Sequence, residues 1–219
     1  MSAPTYRKAE DLPEHIPVFP LPGAMLFPRW QLPLNIFEPR YLNMVDDALA
    51  SNRLIGMVQS FGGDRIKPDL ALVGCVGKIT SFAETDDARY LITLTGIARF
   101  AIDQELEIRT PYRQVRADFD PFEDDLTIPS DPHDQEALKK RLRAVLMPYA
   151  KAHHIETDWD ALAQAPLETV TNALAAGCPF TPAEKQAMLE ADGLKGRFET
   201  LVTLLQLNAS EDEAGGPLQ

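Results

Sequence analysis

IPVFPLPGAMLFPRWQLPLNIFEPRY, residues 16–41, carries prolines at Pro17, Pro20, Pro22, Pro28, Pro33 and Pro39. Proline has no amide hydrogen for a sheet ladder, so one long central strand is excluded here. Between the prolines lie Val18, Phe19, Leu21, Met25, Leu26, Phe27, Leu32, Leu34, Ile36 and Phe37. That is too much apolar side chain to leave in water. The stretch is therefore expected to be short extended pieces, broken by turns, with side chains driven into a core. It closes on Glu38-Pro39-Arg40-Tyr41, a strand running into a helix with Pro39 near the first helical position.

Outward from this segment the chain reads as mostly β from about residue 12 to 119. LIGMVQSF at 54–61 is a strand pattern, with Gly62-Gly63-Asp64 as a turn. Residues 72–84 and 90–95 pair as a hairpin across Thr85-Asp86-Asp87-Ala88. Gly96 interrupts the second arm and marks a bulge or bend. Residues 97–102 and 112–119 supply further strands. One helix crosses this region from Pro39 to about Ser51, with Tyr41, Leu42, Val45, Ala48 and Leu49 on one stripe. Short strands with one crossing helix fit a small, partly closed barrel.

Residues 120–131 are acidic and proline-broken, and read as a linker or surface loop. Helices fill 132–208. The first starts at Asp131-Pro132 and contains Pro148, which should kink or shorten it. The second runs over 166–176 and stops at Gly177. Thr181-Pro182-Ala183-Glu184 is a capping box opening a third, which Gly193 ends. The last covers 195–207. The tail, 209–219, reads as disordered.

The chain has 219 residues, 45% of them hydrophobic, enough for a real core. Its two cysteines, Cys75 and Cys178, make no disulfide framework and read as buried, reduced thiols. No apolar signal core opens the sequence and no run reaches the ~20 residues of a membrane span, so cytoplasm is the expected compartment. A net charge of −12 argues against nucleic acid and anionic lipid as partners. The basic run from Lys139 to Arg143 is flanked by acids and reads as a solvated helix face.

Four stretches, in order, resemble one family. PVFPLPG at 17–23 with IFEPRY at 36–41, VGCVGKI at 73–79, LTGIARF at 94–100 and CPFTPAEKQ at 178–186 are similar to the Lon N-terminal domain, the substrate-binding domain of ATP-dependent protease La. The resemblance spans about residues 12 to 207. It implies an α+β fold, a PUA-like β pseudobarrel followed by a C-terminal helical bundle. It also implies a small stand-alone bacterial member that binds unfolded polypeptide or a proteolysis partner. Glu38, Arg40, Tyr41, Gly96 and Arg99 fall in the family-like motifs and are expected to be structural. Glu38 would accept backbone amides at the helix start and Arg40 would pair with a carboxylate, with partner contact as the alternative.

The chemistry of the full protease does not follow. No G-x-x-x-x-G-K-[ST] phosphate loop is present, and Lys78 is followed by Ile79. Ser60 and Ser81 lie in strand patterns without the context of a serine–lysine pair. His153 and His154 point about 100° apart on a helix and would not chelate together. Asp46-Asp47, Asp86-Asp87 and Asp124-Asp125 read as solvated pairs. No catalytic residue, cofactor or metal is assigned. Met25, Phe27, Trp30, Met57 and Phe61 are the candidate peptide contacts, since methionine and aromatic side chains adapt to varied partners. Two other readings stay open: an RNA-binding PUA-like module, and a small hydrolase whose site is not local in sequence.

Overall fold

The computed structural model describes residues 6–62, 67–127 and 134–214, the last five of these by backbone alone. The chain divides into two compact units, Met1–Ile128 and Pro129–Gln219.

In the first unit the proline-rich opening forms two short strands, β1 (His15–Pro20) and β2 (Gln31–Ile36). Helix α1 (Pro39–Leu49) follows, then β3 (Leu54–Val58) and a two-residue pair, β4 (Ser60–Phe61) with β5 (Asp69–Leu70). The long hairpin β6 (Val73–Glu84) and β7 (Tyr90–Glu105) comes next, and β8 (Gln114–Asp118) ends the set. Strands β7, β6, β3, β1 and β8 pair in that order, and β8 returns to the far half of β7. That pairing closes a five-stranded ring. β1 and β3 are parallel, which requires the crossover that β2 and α1 provide. β2 hangs outside the ring, paired only with the near half of β7, and its Pro33 is tolerated on that edge.

The ring interior is filled by Ile16, Val18, Leu54, Val76, Phe100, Val115 and their neighbours. Phe100 fits because two strands lack a side chain beside it. A Cβ on Gly74 would lie 2.6 Å from the Phe100 ring, and one on Gly56 2.9 Å. Ile55 and Met57 point to the other face by strand alternation and are buried too, so β3 is covered on both sides. The bulge expected at Gly96 is present one residue on, where Val76 pairs Ala98 but Gly77 pairs Gly96. Gly96 is also the contact point of the proline segment. Its backbone bonds Arg29 and Trp30, and a Cβ there would sit 2.0 Å from the Phe27 carbonyl oxygen.

The acidic stretch after β8 is not a free linker throughout. Asp120–Leu126 forms a 3-10 segment against β7. Asp125, expected to be solvated beside Asp124, is 6% exposed. It takes bonds from the Arg99 amide (3.0 Å), Nε (2.8 Å) and a terminal guanidinium nitrogen (3.0 Å). Arg99 also lies over the Phe122 ring, and Arg29 bonds the Asp125 carbonyl. Sequence reading placed Arg99 as structural but did not supply its partner.

The second unit holds α2 (Gln135–Ala152), α3 (Trp159–Gln164), α4 (Leu167–Gly177), α5 (Pro182–Glu190) and α6 (Gly193–Ala214). The Thr181 capping box forms as expected, with the hydroxyl accepting from the Glu184 amide. α2 runs through Pro148 to Ala152 although the proline cannot donate to the Ala144 carbonyl; buried Tyr149 and Ala150 hold the last turn. α3 was not anticipated. It is only six residues long, capped by Asp158, and too short to show a helical period. α5 stops at Glu190, and Gly193, at a φ of +56°, opens α6 instead of ending α5. α6 continues to Ala214, into the stretch read as disordered. The expected cap at 131–132 and most of the turn at 62–64 lie outside the described residues. Arg197 is 1% exposed and bonds the Asn172 side chain (2.9 Å) and the Met188 carbonyl (3.3 Å), tying α6 to α4 and α5.

Candidate functional site

An open groove of about 1100 Å³ lies on the barrel unit. Phe19 and Pro20 at the end of β1, and Pro33, Leu34 and Asn35 of β2, form one part of its wall. Phe37, Glu38, Arg40 and Tyr41 at the start of α1 form another, and the loop from Glu105 to Arg113 a third. The proline segment makes this possible. Its breaks keep β1 and β2 to six residues each, and both strands contribute wall residues to the groove.

Phe19 and Tyr41 are buried here with ring centroids 4.3 Å apart. At the rim, Phe37 is 61% exposed and Ile108 42% exposed. Leaving side chains of this size in water is unfavourable by about 25 cal/mol per Å² of apolar area, so an apolar ligand is rewarded here. Most of the charges, by contrast, satisfy one another. Arg40 lies 2.8 Å from Glu38 and 4.6 Å over the Tyr41 ring. Arg113 grips Glu105 through two 2.8 Å bonds and also bonds the Pro68 carbonyl (2.6 Å). Lys67 lies 3.6 Å from Glu105. Its bonds to Arg113 hold the Glu105 carboxyl below the usual carboxylate range. Burial, and then a 2.6 Å bond to Asp47, pushes the Tyr112 phenol up to about 12.

Ser60 and Lys67 both line this groove. The Lys67 side chain is 69% exposed and faces Glu105, the reverse of the desolvated lysine that a serine–lysine pair needs. Among the described residues no three His, Cys, Asp or Glu side chains gather to hold a metal ion. No helix among them is long and apolar enough to cross a membrane.

A family model, the ATP-dependent protease La (LON) substrate-binding domain, matches residues 15–206. The chain belongs to that family. Over 94% of its length it is 30% identical to Lon protease 2 of Myxococcus xanthus, and 29% identical to the Lon protease of Anaeromyxobacter dehalogenans. It spans about a quarter of the length of these curated relatives, 25% and 24% respectively. The fold matches the crystal structure of a Lon N-terminal domain protein from Xanthomonas campestris, with a TM-score of 0.60, 22% identity, and 86% of this chain and 97% of that one covered. It also matches the N-terminal domain of Mycobacterium avium complex Lon protease, with a TM-score of 0.61, 16% identity and coverage of 87% and 97%.

Within this Lon substrate-binding fold the candidate contacts separate. Met25, Phe27 and Met57 are buried at 3%, 0% and 3% exposure and belong to the core. Trp30 is half-buried and Phe61 is 42% exposed, and neither lines the groove. Residue type alone cannot separate core from surface for an apolar side chain. Of the motif residues, Glu38, Arg40 and Tyr41 do line the groove. Glu38 makes no side-chain cap to α1 and instead pairs with Arg40, two residues on. The charged guanidinium is the stronger donor for this carboxylate. Sequence reasoning missed Phe37, Ile108, Arg109 and Arg113. The only sequence signal was an isoleucine set between charges, in EIRTP at 107–111, and it lies about 70 residues from Phe37.

Proposed function

We propose that the barrel groove grips an extended, apolar-rich segment of another polypeptide, and that the chain does so without breaking a bond. The observation that carries this is that exposed Phe37 and Ile108 both line one open groove in which Arg40, Lys67 and Arg113 already face carboxylates. Apolar attraction remains, with little net field to demand a particular charge on the ligand. β2 adds a second element. No described strand pairs with its outer side, and an extended peptide laid there would gain backbone bonds with side chains directed into the groove. The family's description as a substrate-binding domain supports the same reading. Buried free cysteines suit a reducing compartment, and cytoplasm is the setting this reading assumes.

The groove also opposes nucleic acid as the ligand. Three of its four basic side chains face carboxylates, leaving Arg109 alone to meet a phosphate. The test is fluorescence anisotropy with a labelled, permanently unfolded protein. Saturable binding is expected, weakened at least tenfold by Phe37→Asp with Ile108→Asp. A flat titration with the unaltered chain, or equal binding by the double variant, sinks the reading. Peptide or ATP hydrolysis by the purified chain, abolished by a single substitution in it, would sink its non-catalytic half.

A further inference from the structure

A second concavity lies wholly within the helical unit and differs in character. It is a cleft of about 460 Å³ between α2, α3 and the start of α4. Its floor is apolar, built from Leu142, Leu146, Leu162 and Val170, with Trp159 beside them. Lys139, Lys140 and Arg143 share the α2 side of the cleft with one carboxylate, Glu136. These positions recur at three- and four-residue spacing, which brings them to one face of α2. Residues 129–219 hold 14 acidic and 8 basic side chains, so a cationic surplus here runs against the charge of its own unit. The cations are not consumed by carboxylates among the described residues. Lys139 donates to the Ala163 carbonyl (2.8 Å) and Arg143 lies 5.3 Å over the Trp159 ring. By contrast, Arg141 on the same helix is turned away to Glu199.

We propose that this cleft binds a small anionic amphiphile, a monocarboxylate bearing an apolar chain or ring. The apolar part would lie on Leu142, Leu146 and Val170 against Trp159. The carboxylate would sit at Lys140 and Arg143. The complementarity is of both shape and charge: an apolar floor and a positive rim line the same opening. Size favours a small molecule over a protein. The volume falls within the roughly 300–1,000 Å³ of small-molecule sites. Eleven residues line the cleft, against about 20–30 a side in a standard protein interface. The basic run that reads in sequence as a solvated face thus gains a role, because α3 brings an aromatic wall opposite it.

The proposal is independent of the barrel groove and is tested apart from it. Decanoate, below its micellar concentration, is titrated into the full chain carrying Trp30→Phe, so that Trp159 alone fluoresces. Ligand-observed NMR on the unaltered chain provides the second readout. The expected result is saturable one-to-one binding, with decanol and decyltrimethylammonium at least tenfold weaker. Lys140→Glu, at an exposed position, should weaken decanoate several-fold, and Lys140→Glu with Arg143→Glu at least tenfold. Phe37→Asp in the barrel groove should leave it unchanged. Absence of saturation, equal binding of decanol, or undiminished binding by the double variant while its helical circular dichroism is intact would each overturn the proposal. Tighter capture of an acidic apolar peptide than of decanoate would overturn it in favour of a protein partner.

Discussion

Each unit buries an arginine, and the two do it by different means. In the barrel, Arg99 is met by a full carboxylate, that of Asp125, which arrives from 26 residues further along the chain. In the helical unit, Arg197 is met by the Asn172 side chain and the Met188 carbonyl, from the two helices that precede its own. Burying a charge costs several kcal/mol, and geometry and partners must offset it. The carboxylate concentrates that offset in one residue and, in doing so, pins the 3-10 segment to β7. The amide and carbonyl spread it over α4 and α5. A single substitution should therefore harm the barrel more than the helices.

One tryptophan lies in each unit, Trp30 and Trp159, so Trp159→Phe and Trp30→Phe backgrounds report the unfolding of each separately. The sharpest break should come from Asp125→Ala. Leaving Arg99 buried without its carboxylate is expected to destabilise the barrel by about 3–5 kcal/mol in urea titrations. A loss below 1 kcal/mol would mean the ion pair is dispensable. Asn172→Ala removes one of several Arg197 partners and should cost the helical unit less, about 1–3 kcal/mol. If it matched Asp125→Ala, the contrast between the two arginines would fail. Thr181→Ala deletes the α5 cap and should cost about 1 kcal/mol, read from the Trp159 transition alone.

The pH response refines the same contrast. Burial pushes the Cys178 thiol up from 9.0 to about 11, and Tyr149, beside it, is raised as well. Because the folded state holds the proton more tightly, its stabilising effect is complete below pH 9 and is lost as pH rises towards 11. Tyr112 acts likewise in the barrel, but from 10.0 to about 12. The helical unit should thus weaken about one pH unit before the barrel, and Cys178→Ala should narrow that gap. Parallel urea titrations between pH 8 and 11 measure it.

Features set by neighbours in the chain could be read from the sequence. The broken proline segment, the hairpin around residues 85–89 and the Thr181 capping box all rest on local chemistry, and all three are found. Gly96 was legible as an interruption, though not its cause, since Phe27 approaches it from nearly 70 residues away. Asp125 misled because its acidic surroundings look solvated, while the arginine that buries it lies 26 residues earlier, on β7. The groove was hidden for the same reason. Phe37 and Ile108 mean little until the fold sets them around one opening, whereas Met25, Phe27 and Met57 carry the right chemistry in places the barrel has sealed. α3 was invisible because six residues cannot display a period of 3.6.

The closure of the ring has a consequence for synthesis. His15 of β1 pairs with Arg116 of β8, roughly a hundred residues later. At about 5–20 residues per second, a ribosome needs on the order of 5–20 s to make the strand that β1 awaits. Through that interval Ile16 and Val18 leave the exit tunnel with no β8 to cover them. A chain proposed to grip the apolar segments of others therefore begins its own existence displaying one.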